Sequence, residues 1–340
     1  MKILLPLAVG IAALAATSAA SASTLSDVRD AGVVKCGVST GLAGFATPDD
    51  AGNWQGLDVD LCRAIAAATL GDATAVEFVP LTSKVRFEVL KSGEIDVLVR
   101  TTTWTLTRDV GLGLNFAGVN YYDGQGFMVP TSLEGVNSAL DLDGASVCIQ
   151  TGTTTELNLS EYFRLNNMAY EPVPVETSAE GRSAYSAGRC DIYTTDASAL
   201  AAQRSGLEDP SAHKILPEII SKEPLGPVVR HGDDQWLDIV KWSHNAMLNA
   251  EELGVTSANA VERSKDASNP AVQKLLGTAD AGLGAQLGLS EDWAMNIITQ
   301  VGNYGESFER NVGADTPLKL ERGLNALWTN GGIQYAPPIK

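Results

Sequence analysis

Histidine and cysteine are scarce in this 340-residue chain, with three His (His213, His231, His244) and four Cys (Cys36, Cys62, Cys148, Cys190). No CxxC pair and no zinc-ligand spacing occurs among them, so a structural zinc module is excluded. Basic residues are also few: 24 Lys and Arg stand against 41 Asp and Glu, a formal net charge of −17. A chain this acidic repels phosphate backbones and gains nothing from counterion release, which excludes nucleic acid as a partner. The acidity supports solubility without identifying a ligand. Nucleotide signatures are missing as well. There is no P-loop, and Gly111-x-Gly113 lacks the third glycine of a dinucleotide fingerprint, so no cofactor is expected.

What is present starts with an address. Lys2 opens a short basic start, Ile3 to Ala19 is apolar and alanine-rich, and Ala20-Ser21-Ala22 is a small-x-small cleavage site. The pattern predicts an export signal over residues 1–22, with Ser23 as the new N-terminus. After it no run approaches the ~18 apolar residues of a membrane helix, so the mature chain is expected to stay out of the bilayer. In an oxidising compartment four cysteines suggest two disulfides, with three pairings open.

Along the chain, apolar runs alternate with helical periodicity. Strands are expected at Val33 to Val38, Val76 to Val79 and Ile95 to Val99, with helices over Leu25 to Ala31, Leu57 to Ala68 and Ser83 to Lys91 between them. Asp58, Asp60 and Arg63 read as the polar side of the second helix. A second set follows Gly126, with strands at Phe127 to Val129, Ala145 to Ile149, Pro172 to Val175 and Asp191 to Thr194. Its helices are Thr153 to Leu165, Ala179 to Ala187 and Ala197 to Ser205. Alternation of this kind implies parallel sheets with crossover helices. After the extended Pro224 to Val229 come mostly helices: Gln235 to Leu253, Ala271 to Leu276, Trp293 to Tyr304 and Leu318 to Trp328. These have few strands of their own to cover, so they must pack on the first sheet, making the first lobe discontinuous.

Three stretches leave strand ends, where open α/β sheets bind ligands. Arg100 to Arg108 offers threonine hydroxyls and then a guanidinium able to grip a carboxylate with two hydrogen bonds. Gln150-Thr151-Gly152-Thr153-Thr154-Thr155-Glu156 opens a helix whose N-terminal amides attract an anion, although Thr153 and Glu156 also fit a capping box. Asp196 follows the strand at 191–194 and could hold an ammonium or cap the next helix. Gly37-Val38-Ser39-Thr40-Gly41 matches a serine-nucleophile pattern, but the Gly- and Pro-containing segment after it lacks the helix that the motif requires.

Taken together these residues resemble a family, the polar and general L-amino-acid-binding proteins of bacterial ABC importers, with the type II periplasmic-binding-protein fold. The carriers are Lys35 to Val38, Gly56 to Cys62, Thr102 to Thr105, Asn120 to Phe127, Gln150 to Glu156 and Lys222 to Pro227, so the resemblance covers essentially the whole mature chain. It implies two α/β lobes, 23–126 plus 227–340 and 127–226, joined by a two-segment hinge. It also implies roles. Thr101, Thr103 and Arg108 would bind the ligand α-carboxylate, Thr153 and Thr154 would add donors from the second lobe, and Asp196 would take the α-ammonium. Gln150 would touch the ligand side chain, with Trp104 and Phe45 as walls. Members of the family often carry Asn where this chain has Thr101.

The implied protein is a periplasmic, non-enzymatic, monomeric receptor that closes on a free L-amino acid and presents it to a membrane permease. Pairing Cys36 with Cys62 and Cys148 with Cys190 keeps each bond within one lobe and leaves the hinge free, and is the pairing expected. The same fold could instead serve a dehydratase-like periplasmic enzyme, which would need a poised acid or base in the cleft. It could also serve a receptor that feeds a sensor.

Overall fold

The computed structural model describes residues 23–340; the export signal expected over 1–22 lies outside the described residues. Helix α1 (Thr24–Ala31) is capped by the Ser23 hydroxyl and ended by Gly32 at φ 67°. Strand β1 (Val34–Ser39) follows, then a short hairpin of β2 (Thr47–Pro48) and β3 (Trp54–Gln55), and then α2 (Leu57–Leu70), β4 (Val76–Leu81), α3 (Arg86–Ser92), β5 (Val97–Leu98) and β6 (Leu114–Phe116). A connecting strand β7 (Tyr121–Asp123) leads into β8 (Gln125–Pro130), β9 (Ala145–Gln150), α4 (Thr154–Leu165), β10 (Tyr170–Val175), α5 (Ser178–Ser186), β11 (Ile192–Asp196), α6 (Ala197–Ser205) and β12 (His213–Ile215). The chain returns through β13 (Glu223–Leu225) to β14 (Val228–Arg230). It ends in α7 (Asp234–Glu252), α8 (Ala260–Arg263), α9 (Pro270–Leu275), α10 (Leu283–Leu287), α11 (Trp293–Gln300) and α12 (Tyr304–Asn311).

These strands make two five-stranded sheets, in the orders β4-β1-β5-β14-β6 and β10-β9-β11-β8-β12. Each has a parallel trio, with β1 between β4 and β5 or β9 between β10 and β11, and the remaining strands run antiparallel to their neighbours at the returning edge. The two crossings, β7 and β13, pair with each other, Tyr121 opposite Leu225 and Asp123 opposite Glu223.

The late helices do cover the first sheet. Ile239 and Val240 of α7 and Ile297 and Ile298 of α11 share one core with Val34, Cys36 and Val38 of β1 and with the apolar length of α2. That burial is what makes the first lobe fold from two distant stretches of chain. The second lobe has separate cores on the two faces of its own sheet.

Three expectations are corrected. Asp58 and Asp60 of α2 are buried, because α12 and the crossing segments cover that side of the helix. Asp60 Oδ2 accepts from Ser307, Arg310 and Asn311, and Asp58 accepts from the Asn120 side chain and the Thr101 N–H. The helix expected over Trp293 to Tyr304 breaks at Gly302, φ 100°, where Asn303 and Glu306 form a capping box that starts α12. The helix expected over Leu318 to Trp328 is replaced by 3-10 turns at Gly323–Asn325 and Trp328–Asn330, with Lys319 at φ 52°.

The cysteines join as Cys36–Cys62 and Cys148–Cys190, each bond inside one sheet-and-helix unit. The 42-residue separation of the second pair corresponds to roughly 4 kcal/mol in the chain-entropy account. Neither of its sulfurs lines the cleft described below. Replacing both Cys148 and Cys190 with Ser is therefore expected to lower Tm by several degrees and leave the affinity of the folded protein for its ligand unchanged. Calorimetric melting and titration check this, and an unchanged Tm would contradict it.

Candidate functional site

Between the two sheets lies a polar cleft fed by three strand ends. From β5 the chain passes through Arg100 into Thr101, which adopts φ 40°. For a β-branched residue that is a strained conformation. Its N–H is held by Asp58 Oδ2 at 2.9 Å. The loop then turns through Thr103 to Arg108, whose Nη1 donates to the Thr103 carbonyl at 2.9 Å and whose guanidinium lies over the Phe87 ring. From β9 the chain passes Gln150 into Gly152, φ 75°, and enters α4. From β11 it reaches Asp196.

Seven of the nine residues read from the sequence as ligand-binding line this cleft: Thr101, Thr103, Arg108, Gln150, Thr153, Thr154 and Asp196. Thr153 is also a true cap. Its hydroxyl accepts from the Glu156 N–H and donates to the Gln150 carbonyl. Glu156 reaches past it to the Gly152 N–H, so the reciprocal capping box is displaced by one residue. The first amides of α4 keep no intrahelical partner. Gln150 is tied by its Nε2 to the Glu176 carbonyl at 2.9 Å. Asp196 takes the N-cap position of α6 without capping it. Its Oδ1 is buried and has no partner among the described residues.

Phe45 and Trp104 are placed elsewhere, which corrects both. Phe45 is fully buried in the first core, edge-on to Tyr121 at 5.3 Å. The tight turn closed by the Leu42 N–H and Ala46 carbonyl points Leu42 at the cleft and sends Phe45 inward. Trp104 is half exposed and stacks on Phe116 on the outside of its loop, its indole N–H donating to Asp109 Oδ2. No helix follows Ser39, so the serine-nucleophile pattern lacks its required frame.

Sequence reasoning missed four residues that matter. Arg86, Arg100 and Ser178 line the cleft. Glu223, on the crossing strand β13, is buried behind it. The Glu223 Oε2 accepts from the Thr103 hydroxyl at 2.6 Å and the Thr154 hydroxyl at 2.8 Å; Oε1 accepts from Asn158 at 2.7 Å and Ser221 at 2.6 Å. Those two threonines sit on opposite lobes with their hydroxyl oxygens 3.2 Å apart, so the lobes are drawn together in this structure. An exposed Lys84–Glu176 ion pair spans the cleft mouth. Arg86 had a local signal: a cation at the first position of α3 opposes the helix dipole, and sites that break local rules are often functional.

Electrostatically the cleft is polarised. Three guanidiniums come from the first lobe, and burial is the first cause working against the charge of each, lowering Arg86 strongly and Arg100 to about 10. Facing them, the Asp196 carboxyl is pushed well above the usual range, first by burial and then by Asp123 and Glu223, against the pull of Arg108 and Arg86. Burial likewise raises Asp58 and Asp123 to about 6. Among the described residues no group of three His, Cys, Asp or Glu is placed to hold a metal.

Comparison with known proteins bears on this geometry. The model of the bacterial extracellular solute-binding proteins, family 3, matches residues 34–259. The chain belongs to that family. It is 59% identical to the general L-amino acid-binding periplasmic protein of Rhizobium johnstonii over 99% of both chains. It is 56% identical to the glutamate/glutamine/aspartate/asparagine-binding protein of Rhodobacter capsulatus, over 98% of this chain and 97% of that one. A solved periplasmic binding protein from Brucella ovis, with glutathione bound, superposes with a TM-score of 0.92 at 58% identity, covering 94% of this chain and all of the other. The two-lobed α/β architecture is thus that of the family. Among the described residues no helix is long and apolar enough to cross a membrane.

Proposed function

We propose that this protein captures free L-amino acids from the periplasm, reached through the signal over residues 1–22, and passes them as a monomer to the permease of an ABC importer without chemical change. The observation that carries the reading is the pairing of opposite charges across the cleft. Arg108 stands on one lobe, and on the other is Asp196, a carboxyl with a buried oxygen that has no partner among the described residues. A zwitterion satisfies both. Its α-carboxylate takes Arg108 with donors from Thr101 and Thr103 and the first amides of α4, and its ammonium takes Asp196. Charge-assisted bonds of this kind contribute about 1.5–3 kcal/mol each. Contacts from both lobes exist only when the lobes are together, so ligand favours the closed form. The paired strands β7 and β13 serve as the hinge between 23–126 plus 227–340 and 127–226. The relatives named as binding proteins support a receptor and not an enzyme.

The test is thermal melting of residues 23–340, stripped of ligand by unfolding and refolding, against the twenty L-amino acids, glutathione and unrelated solutes. Several amino acids are expected to raise Tm, by the equivalent of about 2.7 kcal/mol at a hundred times Kd. A well-folded protein that responds to none of them contradicts the reading.

A further inference from the structure

The proposed zwitterion uses Arg108 and Asp196 and leaves two of the three guanidiniums on the first lobe unused. Arg100 is anchored, with Nε donating to the Leu81 carbonyl and Nη2 to Ser83 Oγ, both at 2.9 Å. Its charge is countered chiefly by Asp58. Arg86 is different. It is 2% exposed, its one hydrogen bond is a long 3.4 Å contact from Nη1 to Thr102 Oγ1, and its Nε has no partner. Among the described residues no carboxylate forms an ion pair with it, and the face of Phe87, 4.7 Å away, is its closest electrostatic support.

A buried guanidinium without a counter-ion is costly, and two like charges nearby add to the cost. The carboxylate that acts on Arg86 most is Asp196, the group the ligand ammonium would neutralise. Once a zwitterion is bound, its ammonium takes up Asp196, the one carboxylate that acts on Arg86, and Arg86 faces the cleft without a counter-charge of its own. A ligand with one further negative charge closes that gap. Building on the amino-acid reading, we propose that Arg86, beside the anchored Arg100, forms a second carboxylate receptor in the cleft, so that the protein takes L-glutamate and L-aspartate in preference to their amides.

An amide side chain offers a neutral carbonyl oxygen to the same fork. It accepts a hydrogen bond but leaves the charge uncompensated, and a bond to an ionised acceptor is roughly twice as strong. The preference is therefore a matter of charge, and the side-chain lengths of glutamate and glutamine are matched.

Isothermal titration of the ligand-stripped mature chain with L-glutamate and L-glutamine, at one ionic strength and pH 7, tests this. Wild type is expected to bind glutamate at least tenfold more tightly. Arg86→Gln is expected to weaken glutamate at least tenfold and glutamine less than threefold, and Arg86→Lys to recover part of the loss. Glutamine bound as tightly as glutamate by wild type overturns the second receptor alone, and needs no variant to fold. Arg86→Gln that weakens both ligands equally, or leaves the preference intact, overturns the role of Arg86. Binding of neither these two nor any other amino acid overturns the amino-acid reading beneath it.

Discussion

Replacing Asp196 with Asn is expected to weaken amino-acid binding by roughly 30- to 5,000-fold while making the ligand-free protein more stable at pH 7. The first half follows from the loss of a buried partner for an ammonium, which costs about 2–5 kcal/mol. The second half follows from the position of the carboxyl. Asp196 is half-buried, its Oδ1 enclosed and unpartnered among the described residues, and its pKa stands well above the usual carboxylate range, first because of desolvation and then because of Asp123 and Glu223. An acid whose pKa is raised by folding adds to stability below its unfolded value, and loses that contribution as pH climbs through the folded value. At pH 7 the wild-type protein therefore carries a cost that Asn removes, and at pH 3 the two proteins should melt alike. The ligand ammonium reverses the situation by favouring the ionised carboxylate. Binding should release a proton and tighten as pH rises toward the pKa of the empty site. Titration calorimetry in buffers of different ionisation enthalpy reads that proton. An Asn variant that binds normally would remove Asp196 from the site altogether.

Glu223→Ala should have the second largest effect, of a different kind. Glu223 accepts four hydrogen bonds, from Thr103 on one lobe, Thr154 and Asn158 on the other, and Ser221 on the returning crossing. Removing the acceptor strands donors at the point where the lobes meet, at about 1–3 kcal/mol for each one that stays buried. Because both threonine hydroxyls are satisfied by Glu223 when the lobes are together, the loss falls on the closed state. Affinities for all amino acids are expected to drop at least tenfold and by nearly the same factor, with a lower Tm and a milder effect for Glu223→Gln. Kd values for two chemically different amino acids decide it. A drop confined to one ligand would mean that Glu223 contacts the side chain directly, and no drop would mean that it does not hold the closed state.

Much of the cleft was legible because its groups sit at strand ends and helix starts, where local sequence carries both the frame and the chemistry. Val97–Leu98 and Ala145–Gln150 announce themselves as apolar runs, and the polar residues after them have only one place to go. The π-helical turn over Thr107–Gly111 and the 3-10 turns near the C-terminus were not legible, since no periodicity marks them. Phe45 and Trp104 were misplaced for a related reason. An aromatic side chain in a loop next to a site can face the ligand, the core or solvent, and a single turn decides which. The left-handed backbone at Thr101 suits Asn, the residue that the family resemblance leads one to expect there, better than a β-branched residue.

The sequence by itself determined the strand–helix alternation and put polar side chains at the strand ends, while the family resemblance supplied the two lobes, the cysteine pairing and the roles proposed for those side chains. The alternation and the placing of polar groups rest on periodicity, on what a turn permits and on residue types at strand ends, all of them local. Only the tertiary structure decided the balance of charge in the cleft. Arg86 and Arg108 stand 22 positions apart in the sequence and on separate elements, and nothing local says that their guanidiniums share one low-dielectric space with Asp196. Nor does anything local say that Glu223 lies behind Thr103 and Thr154. Burial and long-range proximity set the strength of a charge, and both exist only once the lobes have packed.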